Sequence, residues 1–298
     1  MLQGKIIKGI AGFYYVKSGD KVYRCKARGI FKERGIKPAV GDDVKFEIIE
    51  GNDDNLVTEI LPRRNSFIRP FVANVDCFVI VTAVARPAPV LQTIDRFLVM
   101  AEKADTNIIV CINKCDLAAA DGSRSQQRAE QTKKELLEIY GSIYPTVCLG
   151  KTDDDELDKL MGLIRSKTTA LAGASGVGKS TILNRTAPHA LMETGSVSEK
   201  SQRGRHTTRH AELFSLDDGH DTMIFDTPGF TSFDILEADE KELQYLYPDI
   251  ARHTGKCRYD NCRHIAEPGC GVKEALSKGL IHPKRYESYK MQMEEIRK

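Results

Sequence analysis

With 298 residues, 41% of them hydrophobic and 29% charged, the chain has the composition of an ordinary globular protein and room for roughly two or three domains. Its longest apolar runs, such as CFVIVTAVA at 77–85, are of strand length and too short to span a membrane, and MLQGKIIKGI at the start lacks the apolar centre of a signal peptide. A cytoplasmic location with no membrane partner is therefore expected. The formal net charge of +2 hides a gradient, because residues 1–40 hold ten Lys/Arg against two Asp/Glu and residues 252–298 hold eleven against six. Two basic ends around an acidic middle suit a polyanionic partner touched at two places.

Residues 1–66 form the first texture. KIIKGI, GFYYVK, KVYRCKAR, VKFEII and LVTEIL read as five short strands with turns at SGD and GNDDN, which predicts a small β-barrel of the oligonucleotide-binding type. Along FYYV the side chains alternate, so Phe13 and Tyr15 lie opposite Tyr14 and Val16, and one pair must be core. The other pair is free to stack on bases, or the aromatics and lysines simply coat a solvated barrel.

Residues 67–235 alternate strands with helices. VDCFVIVTAV reads as a strand, QTIDRFLVMAEKAD as a helix with Ile94, Phe97, Leu98 and Ala101 on one stripe, then NIIVCIN as a strand and 124–140 as a polar helix. YPTVCL, a helix carrying Leu157, Leu160, Met161 and Ile164, and the strand TTALAG follow. This order predicts an α/β domain with a parallel sheet and ligands at the carboxyl ends of its strands.

The chemistry-bearing motifs follow those strands. NKCD at 113–116 comes directly after IIVCI: Asp116 can accept hydrogen bonds from the ring N–H and exocyclic amine of guanine, donors that adenine does not pair in this way, while Asn113 and Lys114 position and cover the ring. A second base-contacting loop is expected at LGK, with Gly150 and Lys151. GASGVGKST, comprising Gly173, Ala174, Ser175, Gly176, Val177, Gly178, Lys179, Ser180 and Thr181, fits a phosphate-binding loop between strand and helix. Its glycines turn amides towards one anion, Lys179 bridges the outer phosphates, and Ser180 offers an oxygen to magnesium.

The polar stretch SVSEKSQRGRHTTRH at 196–210 reads as a switch segment in which Thr208, or its neighbour Thr207, closes over magnesium. In DTPGF, at the end of the strand TMIF, Asp226 is placed to hold the magnesium shell and Gly229 to offer its amide to the terminal phosphate. The base reader thus precedes the phosphate loop, the reverse of the usual order. Phe230, where many GTPases carry a water-orienting glutamine, cannot do that work, so intrinsic turnover is expected to be slow and His206 is the candidate for the task.

Residues 236–298 contain Cys257, Cys262, His264 and Cys270, three thiolates and an imidazole that make a closed tetrahedral set for one structural zinc ion in a mostly helical domain. KCRYDNCRH and the tail HPKRYESYKMQMEEIRK supply basic groups for an RNA backbone. The remaining five cysteines are scattered and read as packing residues.

NKCD, GASGVGKS, RGRHTTRH, DTPGF and CRYDNCRHIAEPGC, in that order, resemble a circularly permuted GTPase. With the N-terminal barrel and the Cys/His cluster, the whole chain is similar to the ribosome small subunit-dependent GTPase A family. The resemblance implies GTP/GDP and Mg²⁺ as ligands, with Lys179, His206 and Thr208 serving hydrolysis. It also implies stimulation by the small ribosomal subunit, late in that subunit's maturation, with the subunit and its rRNA as partners of a monomeric enzyme. At the second base loop the family usually has serine or alanine before lysine, and here it is Gly150, so a backbone contact is expected. A GTPase of large-subunit assembly or tRNA modification, and a non-catalytic RNA-binding protein stabilised by nucleotide, are the alternatives.

Overall fold

The computed structural model describes residues 1–51, 54–118, 122–187, 211–216, 218–226 and 238–297. The chain divides into two compact units, one of Met1–Cys77, Met161–Leu171 and Ser180–Phe230, the other of Phe78–Leu160, Ala172–Lys179 and Thr231–Lys298.

In the first unit β1 (Leu2–Ile10), β2 (Phe13–Ser18), β3 (Lys21–Ala27), β4 (Asp43–Glu47) and β5 (Asn55–Ile60) close into a barrel in the order β1-β2-β3-β5-β4, with β4 returning to β1. Alternation fills its interior: Ile6, Val16, Cys25, Val44, Phe46 and Val57 are fully buried. Val16 settles which face of FYYV is core. Phe13, on the opposite face, carries Arg24 and Lys26 each 5.1 Å from its ring centroid. A five-residue helix, α1 (Gly29–Glu33), follows β3 and buries Phe31; a single turn leaves too little periodicity to be read from sequence. Asp42 anchors the turn before β4, accepting from the Ala39 amide at 2.7 Å and pairing with Arg63 at 2.6 Å.

The same unit holds a hairpin of β6 (Ser66–Ile68) and β7 (Phe71–Ala73), together with β11 (Thr168–Ala172), β12 (Glu212–Ser215) and β13 (Met223–Asp226). β11 and β13 run parallel, whereas β12 runs antiparallel to β13 and then pairs with β1 of the barrel at Lys8↔Glu212. The parallel pairings expected of the α/β domain are present, with β12 added antiparallel at the edge of β13. At four residues β12 carries no long apolar run, and the Asp218-Gly219 turn between it and β13 is its one local signal.

In the second unit β8 (Cys77–Ala83), β9 (Asn107–Asn113) and β10 (Thr146–Leu149) lie side by side in the order β10-β9-β8. All of β8 is buried, as a central strand requires. α2 (Leu91–Lys103) buries the expected stripe of Ile94, Phe97, Leu98 and Ala101, and also Asp95 and Val99. α3 (Arg124–Tyr140) is capped by Ser123, whose hydroxyl accepts from the Gln126 amide, and α4 (Asp154–Ile164) leads on to β11.

The C-terminal helices α6 (Pro248–Thr254), α7 (Gly271–Ser277) and α8 (Pro283–Ile296) share a core of Leu243, Tyr247, Ile250, Val272, Tyr289 and Met293, into which Val99 of α2 packs. Arg285 is 1% exposed and binds both Asp249, at 2.9 Å, and Asp95 of α2. Lys284 pairs with Glu135, and Lys290 with Glu287 at 3.4 Å. The reading of this tail as a basic RNA-facing surface is corrected at Arg285, which the fold uses as an internal clamp. None of the described helices is long and apolar enough to cross a membrane.

Candidate nucleotide site and metal cluster

The phosphate loop leaves β11 and enters α5 (Lys179–Thr186). Gly173 adopts φ +145°, and a Cβ there would stand 2.1 Å from the carbonyl oxygen of Val81 on β8. Gly178, at φ +106°, would place a Cβ 2.2 Å from Nδ2 of Asn113. Both positions therefore require glycine for space as well as for conformation. Within the loop, Lys179 Nζ donates to the carbonyls of Gly173 at 2.6 Å and Ala174 at 2.9 Å. Burial lowers its pKa to about 8. Val177 is buried, Ala174 half-buried, and Ser175, Ser180 and Thr181 are exposed.

The residues of NKCD meet this loop directly. Asn113 Nδ2 donates to the carbonyl of Val177 at 2.8 Å, and Lys114, itself at φ +61°, donates from Nζ to the carbonyl of Gly176 at 2.7 Å and to that of Arg86. Sequence reasoning assigned both side chains to the base and missed this cross-link. The signal was the pairing of glycine at 178 with a short amide side chain 65 positions earlier, which spacing alone does not reveal. Asp116 is exposed and accepts from the Lys151 amide at 3.1 Å, while a Cβ on Gly150 would touch the Asp116 backbone at 3.6 Å. The LGK loop thus supports Asp116 through its backbone.

Asp226 closes β13 and is the register partner of Glu212 on β12. Partial desolvation and the Glu212 carboxylate hold its carboxyl above the usual range. Two facing carboxylates, with Lys8 paired to Glu212 at 2.7 Å, suit a cation at Asp226. His206, Thr207, Thr208, Gly229 and Phe230 lie outside the described residues.

Cys257, Cys262, His264 and Cys270 converge, their ligand atoms within 4.8 Å of one another. His264 Nδ1 lies 3.5 Å from Cys257 Sγ and 3.4 Å from Cys270 Sγ, and the two sulfurs are 3.9 Å apart. Bonds of about 2.3 Å to sulfur and about 2.0 Å to nitrogen from a tetrahedral zinc subtend separations of this size. The tautomer is also set. Gln244 Nε2 donates to the carbonyl of Lys241 at 2.9 Å, which turns Oε1 to accept from His264 Nε2 at 2.9 Å and leaves Nδ1 bare towards the thiols. Burial lowers the pKa of His264, favouring the neutral ring that a metal needs. The donor set and its support fit one zinc ion, and all four ligands are filled by protein.

Barrel, phosphate loop and preceding base reader define a P-loop GTPase with circularly permuted motif order. The RsgA GTPase family matches residues 60–236 and the RsgA N-terminal domain residues 3–55. Small ribosomal subunit biogenesis GTPase RsgA of Alkaliphilus metalliredigens is 43% identical over 300 residues, covering 100% of this chain and 99% of that protein. The protein of the same name from Agathobacter rectalis is 41% identical over 309 residues, covering 99% and 98%. Among solved structures, YloQ, a circularly permuted GTPase, superposes with a TM-score of 0.81 at 35% identity over 100% of this chain and 95% of its own. YjeQ from Thermotoga maritima gives 0.82 at 30% identity over 99% and 98%. The chain belongs to the RsgA GTPase family.

Proposed function

We propose that this chain is a cytoplasmic GTPase of small ribosomal subunit biogenesis, slow alone and stimulated by the subunit on which it acts late in maturation. The observation that carries the nucleotide part is the cross-link of Asn113 and Lys114 to the phosphate loop at Val177 and Gly176. It fixes the neighbouring Asp116 relative to the amides that receive phosphate. Asp116 accepts from guanine N1–H and the exocyclic amine, which selects GTP over ATP. The amides of residues 173–181 and the start of α5 hold the phosphates, and Lys179 exchanges its two carbonyl partners for phosphate oxygens. Bound magnesium supplies divalent charge at the outer phosphates, and Ser180, Thr208 and Asp226 are the residues that would hold it. Gly229 offers its amide to the terminal phosphate, and His206 orients the attacking water that Phe230 cannot.

The ribosomal part rests on the names of the full-length relatives and on the barrel's outer face, where Phe13 offers a stacking ring beside Arg24 and Lys26, both paired with Asp54, whose place rRNA phosphate would take. In this reading residues 1–66 bind RNA, 67–235 bind and hydrolyse nucleotide, 236–298 carry the zinc, and the protein acts as a monomer. The test is steady-state GTP hydrolysis by the protein alone and with isolated small or large subunits at two salt concentrations. Stimulation by the small subunit only, weakened by salt, is the expected result. Stimulation by the large subunit would move the assignment there, and an unchanged rate with both would remove it.

A further inference from the structure

Two thiols meet beside the residues that read the base. Cys115 stands between Lys114 and Asp116, and Cys148 near the end of β10 leads through Leu149 and Gly150 to Lys151. Parallel pairing sets Cys148 against Ile112 and Leu149 against Asn113, so the two loops leave adjacent strand ends. The Cys115 thiol donates to the carbonyl of Ile112 at 3.2 Å, and Ile112 is the register partner of Cys148, which brings the two cysteines alongside each other. Both residues are half-buried, within reach of a small reagent.

Their surroundings make one of them reactive. The neighbouring Cys115 thiol and the charges of Lys133 and Lys159 favour the Cys148 thiolate against burial and the carboxylate of Glu156, which lowers its pKa below the usual thiol value. Glu156 is held in place there, accepting from the Cys148 amide at 2.9 Å. Burial pushes the Cys25 thiol up to about 11 and that of Cys77 to about 12, so those two are inert.

We propose that Cys115 and Cys148 are an oxidation site, a thiol pair that closes to a disulfide and thereby weakens guanine-nucleotide binding. The inference rests on Asp116 being the guanine reader. In the reaction the Cys148 thiolate attacks one sulfur of a low-molecular-weight disulfide and expels a thiolate. Cys115 then loses its proton and attacks the Cys148 sulfur, expelling the second thiolate. Two protein thiols are oxidised and one external disulfide is reduced to two thiols. A covalent bond of about 2.05 Å is far shorter than any non-bonded approach of two sulfurs. Closing it draws Cys115 away from Ile112 and shifts Asp116 off the Lys151 amide. By linkage, bound nucleotide resists the closure.

The test uses the zinc-loaded full chain treated with glutathione disulfide, with peptide mapping by mass spectrometry and titration of a fluorescent GDP analogue. The expected result is a Cys115–Cys148 cross-link, a GDP affinity lower by about tenfold or more, the loss of roughly one charged hydrogen bond, and recovery with dithiothreitol. Cys148→Ser should bind GDP within about twofold of the parent and ignore the oxidant, since it keeps the loop geometry but lacks the attacking sulfur. Absence of the cross-link, a cross-link with unchanged affinity, or a Cys148→Ser protein that still loses affinity on oxidation would each overturn the inference. A reduced parent protein unable to bind GDP would instead sink the nucleotide reading on which it stands.

Discussion

Asn113 and Val177, 64 positions apart in sequence, are joined by a hydrogen bond of 2.8 Å that ties the NKCD loop to the phosphate loop. Asn113→Ala leaves the buried Val177 carbonyl without its donor, a cost of about 1–3 kcal/mol, and should weaken GDP binding roughly tenfold or more by calorimetry. Gly178→Ala strikes the same contact from the other side, because its Cβ would meet the Asn113 amide, whereas Gly173→Ala meets the main chain of Val81. The double variant Asn113→Ala/Gly178→Ala should therefore bind little worse than Gly178→Ala alone, while adding Asn113→Ala to Gly173→Ala should give near-additive losses. Additivity in both pairs would contradict the cross-link.

Gln244 sets the tautomer of His264 through a 2.9 Å hydrogen bond and is not one of the four ligands. Gln244→Leu should therefore keep one zinc per chain by elemental analysis yet release it to a competing chelator about 10–100-fold more readily. Unchanged zinc affinity would show that the histidine needs no such support.

Arg285 is buried between Asp95 and Asp249. Arg285→Met strands two buried carboxylates and should cost about 3–5 kcal/mol in urea unfolding. Replacing all three residues with apolar ones of similar volume should recover most of that loss. A single variant as stable as the parent would argue that the pair carries no net structural weight.

On the barrel, Phe13→Ala removes the ring on which Arg24 and Lys26 rest without touching the core that Val16 fills. Affinity for the small subunit should fall by about 1–3 kcal/mol, the usual worth of one stacked base, with intrinsic GTP hydrolysis unchanged. Equal losses in both assays would point to a folding defect and against an RNA-facing role.

The motifs were legible because each follows an apolar strand, so Asp116, Gly173 and Asp226 fall at strand ends that periodicity alone reveals. The cysteine–histidine set was legible because its four donors lie within one short segment. Long-range partners were not. Arg285 sits in a sequence that looks like a solvated basic tail, and only its two carboxylates, 190 and 36 positions away, explain its burial. The Asn113 bond to the phosphate loop and the four-residue strand β12 were hidden for the same reason, since each depends on what the rest of the chain brings alongside.

The pairing of Lys8 on β1 with Glu212 on β12 sets a limit on how this protein can be dissected. A chain begun after the barrel would remove the strand that covers β12 at Glu212 and leave that edge open to water. Such an exposed edge is a template for strand addition from another molecule, so the truncated protein should self-associate instead of yielding a tidy catalytic fragment.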